Sequence, residues 1–389
     1  MATREAFRIS VDELLARQTA FDALIDARSP SEFSDDHLPG AINHPVLDDA
    51  ERAEVGTLNA KDSPFASRRR GAALVSRNIA AILDGSLSQM PPDWRPVVYC
   101  WRGGNRSGSL ATVLARVGWR VAVLEGGYRA YRRHVVEALK TLPSRFTFIV
   151  IAGRTGTAKS RLLESIVTRG GQSLDLEALA SHRGSVLGLL PGTRQPSQKR
   201  FESLLFQTLS QLDPTRPVFV ESESRKIGQL QIPDALILRM RASACIVVEA
   251  DIALRTRFLI DEYAHFLASP SSLIDRLSTL VERHGHARIS YWQALARSGD
   301  WPALVSDLLE RHYDPSYDRS MQRNFATIGR APRLNLEQRA DDRSIDVAVD
   351  RLASDAMDRV AASPEIFSSS PEQKSAPDGA RPSSAPSGP

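Results

Sequence analysis

"VVYCWRGGNRSGSLATVL", residues 97–114, changes character twice. Val97, Val98 and Tyr99 form an apolar run that reads as a buried strand. Leu110, Val113 and Leu114 then return at the spacing of one helical face. The residues between them are therefore a strand-to-helix loop, with Cys100 at its start and a helix N-terminus at its end. A first helical turn carries N–H groups without intrahelical partners and a partial positive charge. Gly103 and Gly104 let the backbone curl so that more N–H groups point inward. Arg102 and Arg106 add fixed positive charge, and Ser107 adds a hydroxyl. A thiol in such a cradle is expected to have a lowered pKa and to act as a nucleophile. The same cradle suits a tetrahedral oxyanion. The plainer alternative is a buried structural cysteine beside a glycine turn.

Strands and helices alternate around this loop. "FDALIDARSPSEF" reads as a strand ending at Asp26-Ala27-Arg28, and "HLPGAINHP" as a Pro-Gly turn into a short strand. "RRGAALVSRNIAAIL" and "YRAYRRHVVEAL" have helical spacing, and "RVAVLEGG" is a strand closed by a glycine turn. Such alternation predicts an α/β domain with a largely parallel sheet over residues 1–142. Pro143 marks a boundary. A second α/β unit follows over residues 143–362, with strands at Phe146–Ile151, 217–222 and 244–250 and a mainly helical stretch from 252 to about 313. From Ser363 to 389 Ser, Pro, Gly and Ala dominate, which predicts a disordered tail.

A second loop, "GRTGTAKS" at 153–160, also follows a strand and opens a helix. It nearly matches G-x-x-x-x-G-K-[ST], the phosphate-cradling P-loop. Gly153, Thr155 and Gly156 would supply backbone N–H groups for a diphosphate, Lys159 a charge, and Ser160 a candidate Mg²⁺ ligand. Ala158 stands where the pattern has glycine, and its methyl is expected to restrict backbone approach. Lysine is scarce in this chain: of 50 basic residues, six are Lys. An acidic residue should end a later strand. "PVFVESESRKIG" offers Glu221 and Glu223, with Arg225 and Lys226 beyond. Glu221 reads equally as a solvated carboxylate. "SHRGSVLG" (181–188) and "QPSQKRFE" (195–202) bring His182, Arg183, Gln195, Gln198 and Lys199. These segments read either as substrate loops or as surface connections.

Composition narrows the class. A hydrophobic content of 42% and a charged content of 25% fit a globular protein. No apolar run is long enough to span a bilayer, and "MATREAFRIS" lacks the apolar core of a signal peptide. The two cysteines, Cys100 and Cys245, cannot make a disulfide framework, which suits a cytoplasmic protein. Cys245, in "ACIVVEA", reads as core. The pI of about 9.2 fits a nucleic-acid partner, although arginine-rich codon bias explains the Arg:Lys ratio as well.

"DARSPSEF", "HLPGAINHP" and the loop from Cys100 to Ser107 together resemble a rhodanese domain, over residues 22–142. The loop is one residue longer than in small rhodaneses. It is similar to the C-x5-R-[ST] cradle of Cys-based phosphatases, with Tyr99 in place of their His. The order "LDDAERAEVGTL", "YCWRGGNRSGSL", "GRTGTAKS", "SHRGS", "QPSQKRFE", "VESESRKIG" and "YDPSYD" resembles the bacterial tRNA 2-selenouridine synthase family over about residues 7–330. The resemblance implies an α/β chain: an N-terminal rhodanese-like domain, then a P-loop NTPase-like domain with a mainly helical extension. It implies a transferase that converts wobble 2-thiouridine to 2-selenouridine through S-geranyl-2-thiouridine. Geranyl diphosphate and selenophosphate would be co-substrates, with Mg²⁺ as a candidate ion and no tightly bound cofactor. Cys100 would carry selenium as a perselenide-type species, and Arg102, Arg106 and Ser107 would hold the donor's phosphate. Partners would be tRNA carrying 2-thiouridine and a selenophosphate-supplying enzyme, with no membrane. The competing readings are a rhodanese-fused P-loop kinase and a Cys-dependent phosphatase.

Overall fold

The computed structural model describes residues 5–61, 63–183, 194–264, 270–339, 342 and 344–367. Both loops leave the central strand of a five-stranded parallel sheet. In the first sheet the order is β1 (Phe7–Ile9), β5 (Ala122–Leu124), β4 (Pro96–Tyr99), β2 (Ala23–Asp26), β3 (Ala41–Asn43). All pairs run parallel, with Ile25 opposite Val98 and Val98 opposite Val123. Every residue of β4 is buried, as expected for a strand covered on both faces.

The covering helices are α1 (Val11–Ala16), α2 (Pro30–Asp35), α3 (Asp49–Lys61), α4 (Pro64–Asp84), α5 (Asn105–Val117) and α6 (Gly127–Thr141). Leu110 and Leu114 of α5 are fully buried under the sheet, on the face that their spacing predicts. α3 is different. It buries none of its residues. It is held to α4 by Arg70–Glu54 and Arg77–Glu51 ion pairs, both 2.6 Å.

The second sheet has the order β12 (Arg333–Asn335), β11 (Ala244–Glu249), β6 (Phe148–Gly153), β8 (Val218–Glu221), β7 (Gln172–Leu174), again all parallel. Its helices include α7 (Lys159–Thr168), α8 (Leu176–Ala180), α9 (Gln198–Gln211), α10 (Asp234–Arg241) and α11 (Ile252–Glu262). A small hairpin, β9 (Lys226–Ile227) with β10 (Leu230–Gln231), lies between β8 and α10. Helices from Pro270 to Asn324 form the extension. Cys245 is buried in β11, where burial holds the thiol above its usual range and the Thr327 hydroxyl partly offsets this.

The two sheets share one core. Tyr131, Val135 and Leu139 of α6 belong to the same buried cluster as Phe201, Leu205 and Leu209 of α9 and Val150 of β6. Chain order continues past the expected start of the tail: Pro364–Phe367 is a short helix with Phe367 buried. The rest of the segment read as a tail lies outside the described residues, as do residues 184–188 of "SHRGSVLG".

Candidate active site

Cys100 sits at the end of β4 and is 4% exposed. Ser107, fully buried in the first turn of α5, donates from Oγ to Cys100 Sγ at 3.2 Å. No side chain caps α5 and no acidic residue lies in its first turn, so its leading N–H groups are free to meet an anion. The loop is seated on the next β–α turn. Tyr128 N donates to Cys100 O at 2.8 Å, and Arg129 N to Trp101 O at 3.0 Å. That approach needs glycine. A Cβ on Gly127, at φ +57°, would lie 2.2 Å from Cys100 O, and one on Gly103, at φ +65°, 2.6 Å from Leu124 O. Gly104 caps α5 with ordinary negative φ, and a Cβ there would meet nothing, so its curl is not a glycine requirement.

The cradle's charge is less free than the sequence suggests. Arg106 is bound by Glu32 of α2 at 2.6 and 3.2 Å, and Glu32 also pairs with Arg52 at 3.1 Å. Arg102 is exposed and has no acidic partner among the described residues. Tyr99, the residue before the cysteine, is buried and accepts a hydrogen bond from Leu38 N at 3.2 Å, which makes it part of the frame. Behind the loop, Arg28 is buried against Asp26 (2.6 Å) and its guanidinium lies 4.0 Å from the Tyr128 ring centroid.

The 153–160 loop follows β6. Gly156 has φ +87°, and a Cβ on Gly153 would lie 2.5 Å from Thr157 Oγ1. Ala158 adopts the left-handed conformation, φ +57° and ψ +32°, that the missing glycine would take freely. Its methyl is 4% exposed and belongs to the core around α7, rather than standing in the cradle as expected from the sequence. α7, like α5, has no side-chain cap and no acidic first turn. Lys159 Nζ donates to Gly153 O at 2.9 Å, and Ser160 Oγ to Glu177 Oε2 at 3.4 Å.

Beneath this loop lie four acidic side chains. Glu221 ends β8, is 1% exposed, and accepts from Glu177 N at 2.9 Å, while its Oε2 has no partner. Burial, then Asp175, Glu177 and Glu223, hold its carboxyl well above the usual range. Glu177 is raised by burial too, and Lys159 partly offsets this. Glu221 is therefore not a solvated carboxylate.

Three residues over the loop come from far along the chain. Tyr317 OH accepts from Gly153 N at 2.5 Å, Asp318 binds Arg154 at 2.6 Å, and Asp314 binds Arg255 at 2.6 Å. Arg255, 3% exposed, also donates to Thr155 O at 2.8 Å. "YDPSYD" (313–318) is the sequence signal for Asp314, Tyr317 and Asp318, whereas no motif marks Arg255, Asp175 or Glu177.

The remaining candidates divide. His182 is buried with Nδ1 unpartnered, and Arg183 binds Glu262 at 2.5 Å. Gln195 pins the β9–β10 hairpin through Ile227 O (3.0 Å) and Gln229 N (2.8 Å). Lys199 binds Asp35 of the first domain at 2.6 Å, so "QPSQKRFE" is the domain junction. Arg225 is exposed and pairs with Asp234 at 2.6 Å. Among the described residues, none of these last three makes a hydrogen bond or ion pair to the 153–160 loop.

Comparison with known proteins agrees with this two-part organisation. Residues 10–134 match the rhodanese-like domain model, and residues 146–285 match the tRNA 2-selenouridine synthase AAA domain model. A tRNA 2-selenouridine synthase from Nitrosomonas europaea is 35% identical over 277 residues, 70% of this chain and 71% of that one. The enzyme of the same name from Bdellovibrio bacteriovorus is 34% identical over 351 residues, 78% of this chain and 90% of that one.

Proposed function

Because the chain belongs to the tRNA 2-selenouridine synthase family, we propose that it makes 2-selenouridine from wobble 2-thiouridine in two transfers at two loops. The observation that carries this reading is the pair of uncapped helix N-termini, α5 and α7, each following a central parallel strand. One holds a thiol, and the other a lysine and a serine.

The first transfer is placed at residues 153–160. Geranyl diphosphate binds with its diphosphate on the α7 N-terminus and Lys159. The tRNA sulfur bonds to geranyl C1, the C1–O bond breaks, and diphosphate leaves with the electron pair while N3 loses its proton. Alkylation turns the sulfur into a better leaving group. The second transfer is placed at Cys100. Its thiolate bonds to the phosphorus of selenophosphate, the P–Se bond breaks, and selenium leaves as hydrogen selenide with its oxidation state unchanged. That selenium bonds to C2, the C2–S bond breaks, and geranylthiol leaves with the selenide's proton; water then takes the phosphoryl group from Cys100 as phosphate. The N–H groups at the start of α5 hold the phosphate and stabilise developing negative charge.

The residues under the 153–160 loop fit Mg²⁺. Ser160 Oγ, Glu177 and Glu221 are hard oxygen donors, and Glu221 Oε2 is buried without a partner. Among the described residues no three acidic, His or Cys side chains form a closed cage. This suits an ion bound through one or two protein oxygens and substrate phosphates. When bound, Mg²⁺ would neutralise charge on the departing diphosphate.

The test is nucleoside mass spectrometry of 2-thiouridine tRNA incubated with the protein and both donors, each omitted in turn. S-geranyl-2-thiouridine is expected without selenophosphate, and 2-selenouridine only with both. Unchanged tRNA in every arm overturns the reading.

A further inference from the structure

Trp101 follows Cys100 directly, and 38% of it is exposed. Trp94, Trp119 and Trp292 are buried, and Trp301 is half-buried. Trp101 is the most exposed tryptophan among the described residues, and it stands next to the nucleophile. The ring is also held in place. It packs on Tyr128 at 5.4 Å between centroids, tilted by 31°. Tyr128 in turn packs on the buried Arg28 guanidinium at 4.0 Å. Arg28 is fixed by Asp26 and donates to Asp36 O at 2.6 Å. The backbone bond from Arg129 N to Trp101 O fixes the main chain of Trp101. The result is a three-layer pillar whose buried end is a charge and whose open end is Trp101.

Charge flanks the open end. Arg102 and Arg129 are exposed, and neither has an acidic partner among the described residues. An aromatic face between unpaired arginines is the chemistry that binds a single-stranded nucleotide, with the base on the ring and phosphates on the cations. A neutral prenyl chain would use the ring but leave both arginines idle.

We propose that Trp101 is the stacking platform for the wobble base, with Arg102 and Arg129 on its flanking phosphates, so that the base is held beside Cys100. This rests on the reading that the base comes to Cys100. A rigid platform costs little side-chain entropy on binding, and stacking one base on an aromatic is worth about 5- to 100-fold in affinity.

The probe is an anticodon stem-loop RNA carrying 2-thiouridine at the wobble position, used with the full-length protein and its Trp101→Phe and Trp101→Ala variants. Stem-loop binding is expected to quench the tryptophan emission of the wild-type protein, and the quench should be largely lost in Trp101→Phe. For the selenation step, KM for tRNA should rise about 5- to 100-fold in Trp101→Ala with little change in kcat, and Trp101→Phe should restore it. Unaltered melting temperatures and circular dichroism in both variants separate these effects from misfolding. An equal quench in Trp101→Phe, or a change confined to KM for geranyl diphosphate, overturns the platform while leaving the functional reading standing. If the wild-type protein leaves the stem-loop unbound, both fall together.

Discussion

Ser203 Oγ of α9 donates a 2.8 Å hydrogen bond to Asp36 Oδ2, across the boundary between the two sheets. Asp36 is fully buried and also accepts from Tyr128 OH at 2.8 Å. Tyr128 N holds the carbonyl of Cys100. One carboxylate thus ties the cysteine loop to the second domain. Asp35 and His37 reinforce the joint: Asp35 O accepts from Ser197 Oγ at 2.5 Å, and His37 O from Arg200 at 3.1 Å.

Asp36→Ala leaves two buried hydroxyl donors unpaired and is expected to cost about 3 kcal/mol. Because α6 and α9 share one core, calorimetry should show a single unfolding transition moved to lower temperature. Two transitions, with only one displaced, would mean that the domains unfold independently.

The two-loop division predicts opposite defects. Cys100→Ser is expected to abolish selenium incorporation and leave geranylation largely intact. Lys159→Ala removes the cation nearest the α7 cradle and should impair geranylation first, by about 100-fold. Measuring both nucleosides in both variants decides it. Equal loss of the two reactions in Cys100→Ser would end the division.

The two loops were legible in the sequence because each is local: an apolar run, a few small or basic residues, then helical spacing. α3 was not. Its polar surface carries no periodic signal, and its position depends on Glu51 and Glu54 meeting Arg77 and Arg70 of α4. Lys199 and Gln195 were visible as polar residues, but a sequence does not say which surface a polar segment faces. Here Lys199 faces Asp35 and Gln195 faces a hairpin. The cover over residues 153–160 was hidden for a different reason. Tyr317 meets Gly153 across 164 residues, a contact no local pattern encodes. Ala158 shows the limit of motif matching: the residue type departs from the pattern while the left-handed backbone keeps it.

Glu221 gives a prediction in which stability and activity part. Its carboxyl is held well above the usual range by burial and by its acidic neighbours, so the folded state binds a proton more tightly than the unfolded state does. That contribution is present below the ordinary carboxyl range and is lost as pH rises through the folded value. Glu221→Gln keeps an acceptor for Glu177 N and removes the charge. Thermal melts should show the variant gaining on the wild type between pH 5 and 8, by on the order of 1 kcal/mol. Mg²⁺ should narrow the gap, and geranylation should fall. A gap that is constant with pH would mean that like-charge crowding is absent.

The last prediction concerns acid. His312 is 4% exposed, in the turn Leu309–Tyr313 ahead of the helix Asp314–Asn324, and its Nδ1 meets His284 Nε2 at 2.9 Å. Burial first, then Arg283 and His284, push its pKa down to about 4. With the folded value below the unfolded one, the unfolded state binds the proton better. The stability contributed by neutral His312 is therefore complete above about pH 6.5 and is lost as pH falls toward 4. The helix that follows carries Asp314, Tyr317 and Asp318 onto the 153–160 loop, so loosening here reaches that loop. Hydrogen exchange should show residues 301–324 losing protection between pH 6.5 and 4 before the first sheet does, with diphosphate affinity weakening in the same window. His312→Gln removes the titrating group and should flatten both profiles. Profiles as steep as those of the wild-type protein would show that another group governs the acid response.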